Sequence, residues 1–159
     1  MIVLKNILVA TDFEPASDAA LTYGRALART FGARLHLLHV AENDFLRPSV
    51  ANPQVLKAGI ARQLNGRLTA EDRADRGACA TLTVSDRPAD TITRYATHEH
   101  IDLIVMGTHG RTGVTHLLMG SVAEHVVRTA PCPVLTVRHP EHEFVLPDAA
   151  PATSETRPS

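Results

Sequence analysis

The chain has 159 residues, of which 44% are hydrophobic and 21% charged, the proportions of an ordinary globular domain with one core. A net charge of -1 excludes a strong general attraction to nucleic acid or anionic membranes. Two cysteines, Cys79 and Cys132, are too few for a disulfide scaffold, and we expect both to be buried thiols. No apolar run approaches the roughly 20 residues that span a bilayer. The N-terminal residues lack a secretory signal pattern, so we expect a cytoplasmic protein.

Five apolar runs of strand length occur along the chain. Most do not alternate with polar residues, and near-continuous apolar strands indicate burial on both faces, as in a parallel sheet. The runs lie at 6–11, 34–40, 78–84, 102–107 and 133–137.

Segments with apolar residues at helical spacing lie between these runs. Pro15 and Gly32 suit the start and end of the first helix, and Ser121 with Glu124 matches an S-x-x-E capping box at the start of the last. The alternation of strands and helices predicts a three-layer α/β sandwich with a mostly parallel sheet and right-handed crossovers. The helices are predicted at 15–32, 55–74, 88–100 and 121–130.

Two stretches fall outside this alternation. Residues 43–54 have the composition of a loop. Residues 139–159 contain four prolines and no periodicity, which is typical of a flexible tail. We therefore expect one domain at 1–138 and a tail at 139–159.

The stretch GTHGRTGVTHLLMGS, from Gly107 to Ser121, joins an apolar run to the last predicted helix. It is not a Walker loop, because no lysine is near, and it lacks the G-x-G-x-x-G spacing. Its glycines allow close backbone approach and positive φ, its hydroxyl groups can donate hydrogen bonds, and Arg111 adds charge. The following helix start favours an anion such as phosphate. The alternative is a glycine-rich turn in which Ser121 only caps the helix.

The first apolar run ends in Ala10, Thr11 and Asp12. In open α/β sheets, ligands bind outside the carboxyl ends of the strands, at a topological switch point. If the runs at 6–11 and 102–107 are neighbours there, Asp12 faces the glycine-rich stretch. It could then accept a hydrogen bond from a ribose hydroxyl or help to hold a metal on phosphates. The alternative is a carboxylate that only closes a turn.

Three stretches, KNILVATDFEPASDAAL, LHLLHV and DLIVMGTHGRTGVTHLLMGSVAEHVVRTAPCPVLTVR, resemble the universal stress protein family over about residues 3–138. The third has the spacing G-x2-G-x9-G-[ST] of the family's nucleotide-binding subclass. The resemblance implies a Rossmann-like, nucleotide-binding α-hydrolase type of fold with a five-stranded parallel sheet of order 3-2-1-4-5. It also implies ATP, with Mg²⁺, across the strand ends, and a homodimer through the last strand, 133–137.

Carried over residue by residue, the resemblance places Ala10 and Asp12 near the base and ribose and the backbone of Val40 at the adenine. His109 and Arg111 are less closely tied to the family pattern. Where the family often has a glycine before the third helix, this chain has VSDRPAD, so that loop could reach the phosphates differently. The expected nucleotide-binding residues are Ala10, Thr11, Asp12, Val40, Met106, Gly107, His109, Gly110, Arg111, Gly120, Ser121 and Val122.

We expect an ATP-binding stress-response regulatory protein in which nucleotide occupancy tunes dimer or partner contacts, with neither nucleic acid nor membrane as a partner. One alternative is a slow ATPase or autophosphorylating enzyme, with His109, alone or with Asp12, as base. Another is an interaction module that uses no nucleotide. A receiver-like phosphoacceptor is disfavoured, because Arg138 stands where a receiver has lysine. The nine histidines form no zinc framework, so we expect no protein-held metal site.

Overall fold

A computed structural model describes residues 1–43, 52–108 and 119–139. Within these ranges, strands and helices alternate along the chain as the apolar pattern predicts. The predicted loop at 43–54 and tail at 139–159 lie mostly outside them, although 53 and 54 are already helical. The elements are β1 (Asn6–Ala10), α1 (Pro15–Phe31), β2 (Arg34–Ala41), α2 (Pro53–Asn65), α3 (Ala70–Arg76), β3 (Cys79–Val84), α4 (Pro88–His98), β4 (Leu103–Gly107), α5 (Ser121–Thr129) and β5 (Val134–Val137).

The strands form one parallel sheet of order β3-β2-β1-β4-β5, which confirms the predicted topology. Ala10, the last residue of β1, pairs with Leu38 of β2 and with Met106 of β4. Residues 7–9 of β1 are 0% exposed, because helices cover both faces of the sheet. From β1 the chain builds outward to β2 and β3, and then returns to β4 on the other side. The topological switch point therefore lies between the carboxyl ends of β1 and β4.

Two apolar cores fill the spaces between the sheet and its helices. On one face α1, α2 and α3 cover a core that includes Leu21, Leu37 and Leu64. On the other face α4 and α5 cover a core that includes Ile92 and Val126. This is the three-layer arrangement that the sequence predicts. Within the described ranges, no helix combines the length and apolar character needed to cross a bilayer.

The single helix predicted at 55–74 is two helices, α2 and α3. The chain leaves α2 at Gly66, and α3 starts with a reciprocal capping box between Thr69 and Asp72. The Asp72 N–H donates to the Thr69 hydroxyl oxygen at 3.1 Å, and the Thr69 N–H donates to Oδ2 of Asp72 at 2.9 Å. Helical periodicity continues across this break, which is why the spacing of apolar residues alone predicts one helix.

Candidate functional site

The glycine-rich stretch leaves the sheet and returns to it at one point, the carboxyl end of β4. The Thr108 N–H donates to the carbonyl of Val137 at 2.9 Å, and the Thr108 carbonyl accepts from the N–H of Gly120 at 2.6 Å. These bonds place the start of α5 beside the end of β4, at the switch point. Three of the predicted site residues lie outside the described residues: His109, Gly110 and Arg111.

The first turn of α5 presents its backbone N–H groups at this point. The N-cap residue is Gly120, which provides no side-chain cap, and the first intrahelical bond runs from the Glu124 N–H to the Gly120 carbonyl at 2.9 Å. The N–H groups of Ser121, Val122 and Ala123 therefore have no acceptor within the helix. Together with the partial positive charge of the helix end, they suit an anion.

The predicted capping box between Ser121 and Glu124 is wrong. Ser121 is already the first helical residue, because Gly120, with φ -56° and ψ 150°, occupies the N-cap. Glu124 pairs with Arg128 at 2.7 Å, one turn further along α5. Glycine and serine both suit an N-cap, so the sequence does not separate them. The exposed hydroxyl of Ser121 thus does not cap the helix, and it makes no hydrogen bond within the described ranges.

Gly107 has a packing role at the end of β4. A Cβ at this position would lie 2.9 Å from both the carbonyl carbon and the Cβ of Ala16, which is closer than real Cβ atoms approach. The missing side chain therefore lets the first turn of α1 lie directly on β4. The expected positive φ is not found at Gly107: within the described ranges the glycines with positive φ are Gly32 and Gly77.

Thr11 and Asp12 build the turn between β1 and α1. The Thr11 hydroxyl lies 3.1 Å from that of Ser17 and accepts the N–H of Phe13 at 3.0 Å. Oδ1 of Asp12 accepts the N–H of Glu14 at 3.0 Å. Within the described part of the chain, Oδ2 of Asp12 has no hydrogen-bond partner. Asp12 therefore closes the turn through one of its two carboxylate oxygens.

The pairing of β1 with β2 ends where Val40 is expected to meet a ligand. The Thr11 N–H donates to the Leu38 carbonyl at 2.9 Å, but the Thr11 carbonyl accepts from Nδ1 of His39 at 2.7 Å. Alternate residues of a strand turn their backbone groups to opposite sides, so Val40, like Leu38, turns its N–H and carbonyl toward β1. Because β1 has ended there, these groups face the space beyond the carboxyl end of β1.

Four predicted site residues belong to one apolar core or pack against it. Ala10 and Met106 are buried members of the core under α4 and α5, and Val40 and Val122 pack against that core. The structure therefore brings together residues that are up to 112 positions apart in the chain.

Phe13, which the sequence analysis did not single out, has a left-handed backbone, with φ 68°. That conformation is rare for a bulky residue and costs about 1–2 kcal/mol. The Phe13 ring centroid lies 4.4 Å from that of His39, and Cζ of Arg67 lies 4.9 Å from it on the ring face. The sequence does not indicate this arrangement, because the arrangement depends on tertiary contacts with the connection between α2 and α3.

His36 belongs to a buried polar network away from the switch point. Its Nδ1 lies 2.9 Å from the hydroxyl of Tyr95, and its Nε2 lies 3.3 Å from Oδ1 of Asn6. Burial lowers the pKa of His36, and the nearby charge of Arg34 lowers it further. The amide oxygen of Asn6 can only accept, so Nε2 donates to it and Nδ1 accepts from Tyr95. His36 therefore fastens β2 to α4 as a neutral imidazole.

The remaining histidines and cysteines form no metal centre in the described ranges, where no three His, Cys, Asp or Glu side chains converge. His125, on the exposed side of α5, lies 3.2 Å from a carboxylate oxygen of Asp90. Cys79 and Cys132 are both free thiols, half-buried rather than fully buried as expected. Burial raises the pKa of the Cys132 thiol.

The sequence and the fold were compared with known proteins. The universal stress protein family model matches residues 4–138. The universal stress protein of Thermus aquaticus from the 3′ region of the QAH/OAS sulfhydrylase gene is 38% identical over 141 residues, covering 84% of this chain and 98% of that protein.

Solved structures agree with this match. The universal stress protein UspA from Lactobacillus plantarum superposes with a TM-score of 0.69 at 26% identity, over 87% of this chain and 100% of that one. The universal stress protein from Archaeoglobus fulgidus in complex with dAMP shares the fold, with a TM-score of 0.58 at 21% identity, over 86% of this chain and 99% of that one. This chain belongs to the universal stress protein family.

Proposed function

We propose that this protein binds ATP with Mg²⁺ at the carboxyl ends of β1 and β4, and that nucleotide occupancy regulates its contacts in a stress response. One observation carries the proposal. The bond between Thr108 and Gly120 brings the uncapped start of α5 to the point where β1 and β4 end. Ala10 pairs with Met106. The chain therefore leaves the sheet at the same level at Asp12 as at Thr108.

Each part of ATP has a matching group in the described residues. The N–H groups of the first turn of α5 and the hydroxyl of Ser121 suit phosphate oxygens. Oδ2 of Asp12 can accept from a ribose hydroxyl. The backbone of Val40 can bond the edge of the adenine, whose ring would lie against the apolar residues around Val40. The dAMP complex of the Archaeoglobus fulgidus protein supports the capacity of this fold to hold an adenine nucleotide.

Mg²⁺ would enter with the phosphates. It prefers oxygen ligands and keeps several waters, so it needs one or two carboxylates at most. Asp12 would provide such a ligand through Oδ2 as the alternative to accepting from the ribose, and the metal would neutralise phosphate charge. The remaining expected contacts, His109, Gly110 and Arg111, belong to this proposal as loop contacts to the phosphates.

We also propose a homodimer through the last strand, 133–137, with 1–138 as the nucleotide-binding domain and 139–159 as a tail. β5 is an edge of the sheet. The bonds of Ile104 N–H to the Pro133 carbonyl and of Thr108 N–H to the Val137 carbonyl show that odd-numbered residues face β4. Val134 and Thr136 therefore turn their backbone groups outward, where a second copy can pair.

Substitution of Gly120 by valine tests the placement of the phosphates. Gly120 has a backbone conformation that any residue adopts, so Gly120→Val adds bulk beside the α5 donors without forcing a strained φ. We expect roughly a tenfold or greater increase in the Kd for MgATP, measured by isothermal titration calorimetry. The matched control is Gly59→Val, because a Cβ at Gly59 meets no atom within 4 Å.

The two variants separate binding from stability. Thermal unfolding without nucleotide reports any general loss of stability in Gly120→Val, and Gly59→Val should bind MgATP as the unmodified protein does. An unmodified protein that binds MgATP, with equal affinity in Gly120→Val, would show that the phosphates do not lie at the start of α5. An unmodified protein that does not bind adenine nucleotides would contradict the proposed function itself.

A further inference from the structure

Phe13 has an unfavourable backbone conformation and directly follows Asp12, the residue proposed to bind the ribose. Its φ of 68° is one that bulky side chains rarely adopt. The peptide between Asp12 and Phe13 takes its orientation from this angle. A change to an ordinary negative φ at Phe13 would therefore turn Asp12 relative to α1. Backbone conformations as unfavourable as this one persist only where surrounding contacts hold them.

Two side chains contact the Phe13 ring and stabilise this conformation. The ring packs against His39, whose Nδ1 also bonds the Thr11 carbonyl. The guanidinium carbon of Arg67 lies 4.9 Å from the ring centroid, the geometry of a cation–π contact. An Arg67 nitrogen also lies 3.5 Å from the carbonyl of Phe13. Arg67 thus contacts both the side chain and the backbone of the strained residue.

Arg67 is itself fixed in place. Its Nε donates to Oδ1 of Asp18 on α1 at 2.8 Å, and its side chain is 23% exposed. Its carbonyl accepts from a guanidinium nitrogen of Arg25 at 2.9 Å. Arg25 in turn pairs with Asp72, the buried capping residue of α3, at 2.9 Å. The connection between α2 and α3 is therefore anchored to α1 at two points. These contacts hold the Arg67 backbone in place while its side chain extends to the β1–α1 loop.

We propose that Arg67 is a positioning residue of the nucleotide site. From the connection between α2 and α3, it holds Phe13 in the left-handed conformation and so keeps Asp12 directed at the ribose and phosphates. The inference rests on the proposed function, since it concerns how that site is kept ready for nucleotide. Without Arg67 the loop samples ordinary conformations of Phe13, and nucleotide binds only the fraction that is correctly arranged.

The test compares Arg67→Met with Arg73→Met. Both changes remove a guanidinium from the α2–α3 region, but the Arg73 side chain bonds to the carbonyl and side chain of Asn65 and, among the described residues, makes no bond to the β1–α1 loop. We expect Arg67→Met to raise the Kd for MgATP roughly fivefold to tenfold, as a competent fraction of a tenth to a fifth would do. Arg73→Met should stay within about twofold. Arg67→Lys, which keeps the cation, should restore part of the affinity.

A double-mutant cycle identifies Phe13 as the residue through which Arg67 acts. Glycine takes a left-handed conformation without strain and offers no ring to hold. In a Phe13→Gly background, Arg67→Met should therefore change the Kd for MgATP less than about twofold. An undiminished effect in that background would overturn the proposed route. Unfolding midpoints without nucleotide separate this result from stability, because a merely structural role lowers the midpoint and leaves the Kd unchanged.

The outcomes also separate this inference from the proposed function. If the unmodified protein binds MgATP and Arg67→Met binds it as tightly as Arg73→Met does, the positioning role is wrong and the proposed function stands. If the unmodified protein binds no MgATP, both are wrong. If Arg67→Met does not fold, Asp18→Ala removes the acceptor that holds the guanidinium and leaves Arg67 itself in place. An unchanged Kd in that variant would overturn the positioning role, and a raised Kd would support it.

Discussion

At the scale of single residues, the glycines of this chain have different physical roles. Gly107 is needed because α1 rests on it: a Cβ there would meet the backbone of Ala16 at 2.9 Å. Gly59, within α2, has open space around it and no such reason. Gly120 serves as the N-cap of α5. The sequence shows the spacing of these residues but not the surfaces that approach them.

Gly107→Ala should destabilise the protein. The added methyl group meets backbone atoms of α1, which cannot move aside as a flexible side chain can, so α1 must shift from the sheet. We expect a loss of about 1–3 kcal/mol in the free energy of unfolding, measured by urea denaturation. Gly59→Ala, the matched control, should gain about 0.5–1 kcal/mol because alanine favours the helix. Equal stability of Gly107→Ala and the unmodified protein would contradict the packing role.

Part of the candidate site could be predicted at this scale and part could not. Asp12 and Ser121 stand out in the sequence, because polar residues follow an apolar run and precede a helix. Phe13 and Arg67 do not, because a left-handed phenylalanine has no sequence signature and its partner lies 54 residues away. The N-cap assignment failed because both Gly120 and Ser121 suit that position, and only the backbone conformation of Gly120 and the bond from the Glu124 N–H to its carbonyl decide between them.

At the scale of elements, polar contacts fasten the helices to the sheet and to one another. α4 is tied to β2 through the bond between Tyr95 and His36, and α3 is tied to α1 through Asp72 and Arg25. Burial raises the pKa of Asp72, but the hydrogen bonds from Arg25 and Thr69 outweigh it and lower the pKa overall. Burial also raises the pKa of Tyr95, to about 12. Tyr95 therefore stays protonated and donates to His36 at neutral pH.

The stability of the protein should fall in mild acid because of His36. Burial, followed by the charge of Arg34, lowers its pKa in the folded state below the ordinary value of 6.5, and Glu99 opposes this only in part. The neutral form stabilises the fold above pH 6.5, and this contribution is lost as the pH falls toward the folded-state pKa. The loss for one such group is at most about 1.4 kcal/mol per pH unit.

His36→Gln tests this assignment. Glutamine can still donate to Asn6 and accept from Tyr95, but it does not titrate. Between pH 7 and pH 5, the free energy of unfolding from urea denaturation should therefore decline less in His36→Gln than in the unmodified protein. Equal slopes for His36→Gln and the unmodified protein would contradict the role of His36.

The periodicity of apolar residues predicts the helices and strands, with one exception. Strand-length apolar runs predict all five strands because both faces of this sheet are covered. The break between α2 and α3 was missed, although Gly66 and the T-x-x-D pattern at Thr69 mark it. Apolar residues continue at helical spacing across the break, since Leu64 and Leu68 both pack into the same core. Periodicity alone does not separate a continuous helix from two helices that bury one face.

At the scale of the whole molecule, the sheet order places the switch point and leaves β5 at an edge. The order was predicted from resemblance to the universal stress protein family, because strand pairing over long separations is not encoded in local pattern. At this edge, the outward N–H groups of Val134 and Thr136 can donate hydrogen bonds to a second copy. The proposed homodimer depends on these groups.

Thr136→Pro should convert the proposed dimer to a monomer. Proline removes the outward N–H of Thr136 but no bond to β4, so the fold should persist. Sedimentation velocity should show half the mass of the unmodified protein, with the circular dichroism spectrum unchanged. Thr136→Val keeps the N–H and should remain dimeric. A folded Thr136→Pro protein that stays dimeric would show that the copies meet elsewhere.

The central claim is that the switch point holds an adenine nucleotide. The most direct measurement is to denature freshly purified protein, identify any released nucleotide by chromatography and mass spectrometry, and titrate the emptied protein with MgATP. We predict that ATP is released in near-stoichiometric amount, and that millimolar MgATP raises the unfolding temperature of the emptied protein. No released nucleotide, together with no thermal shift in millimolar ATP and Mg²⁺, would contradict the account and leave the stretch from Gly107 to Ser121 as a structural turn.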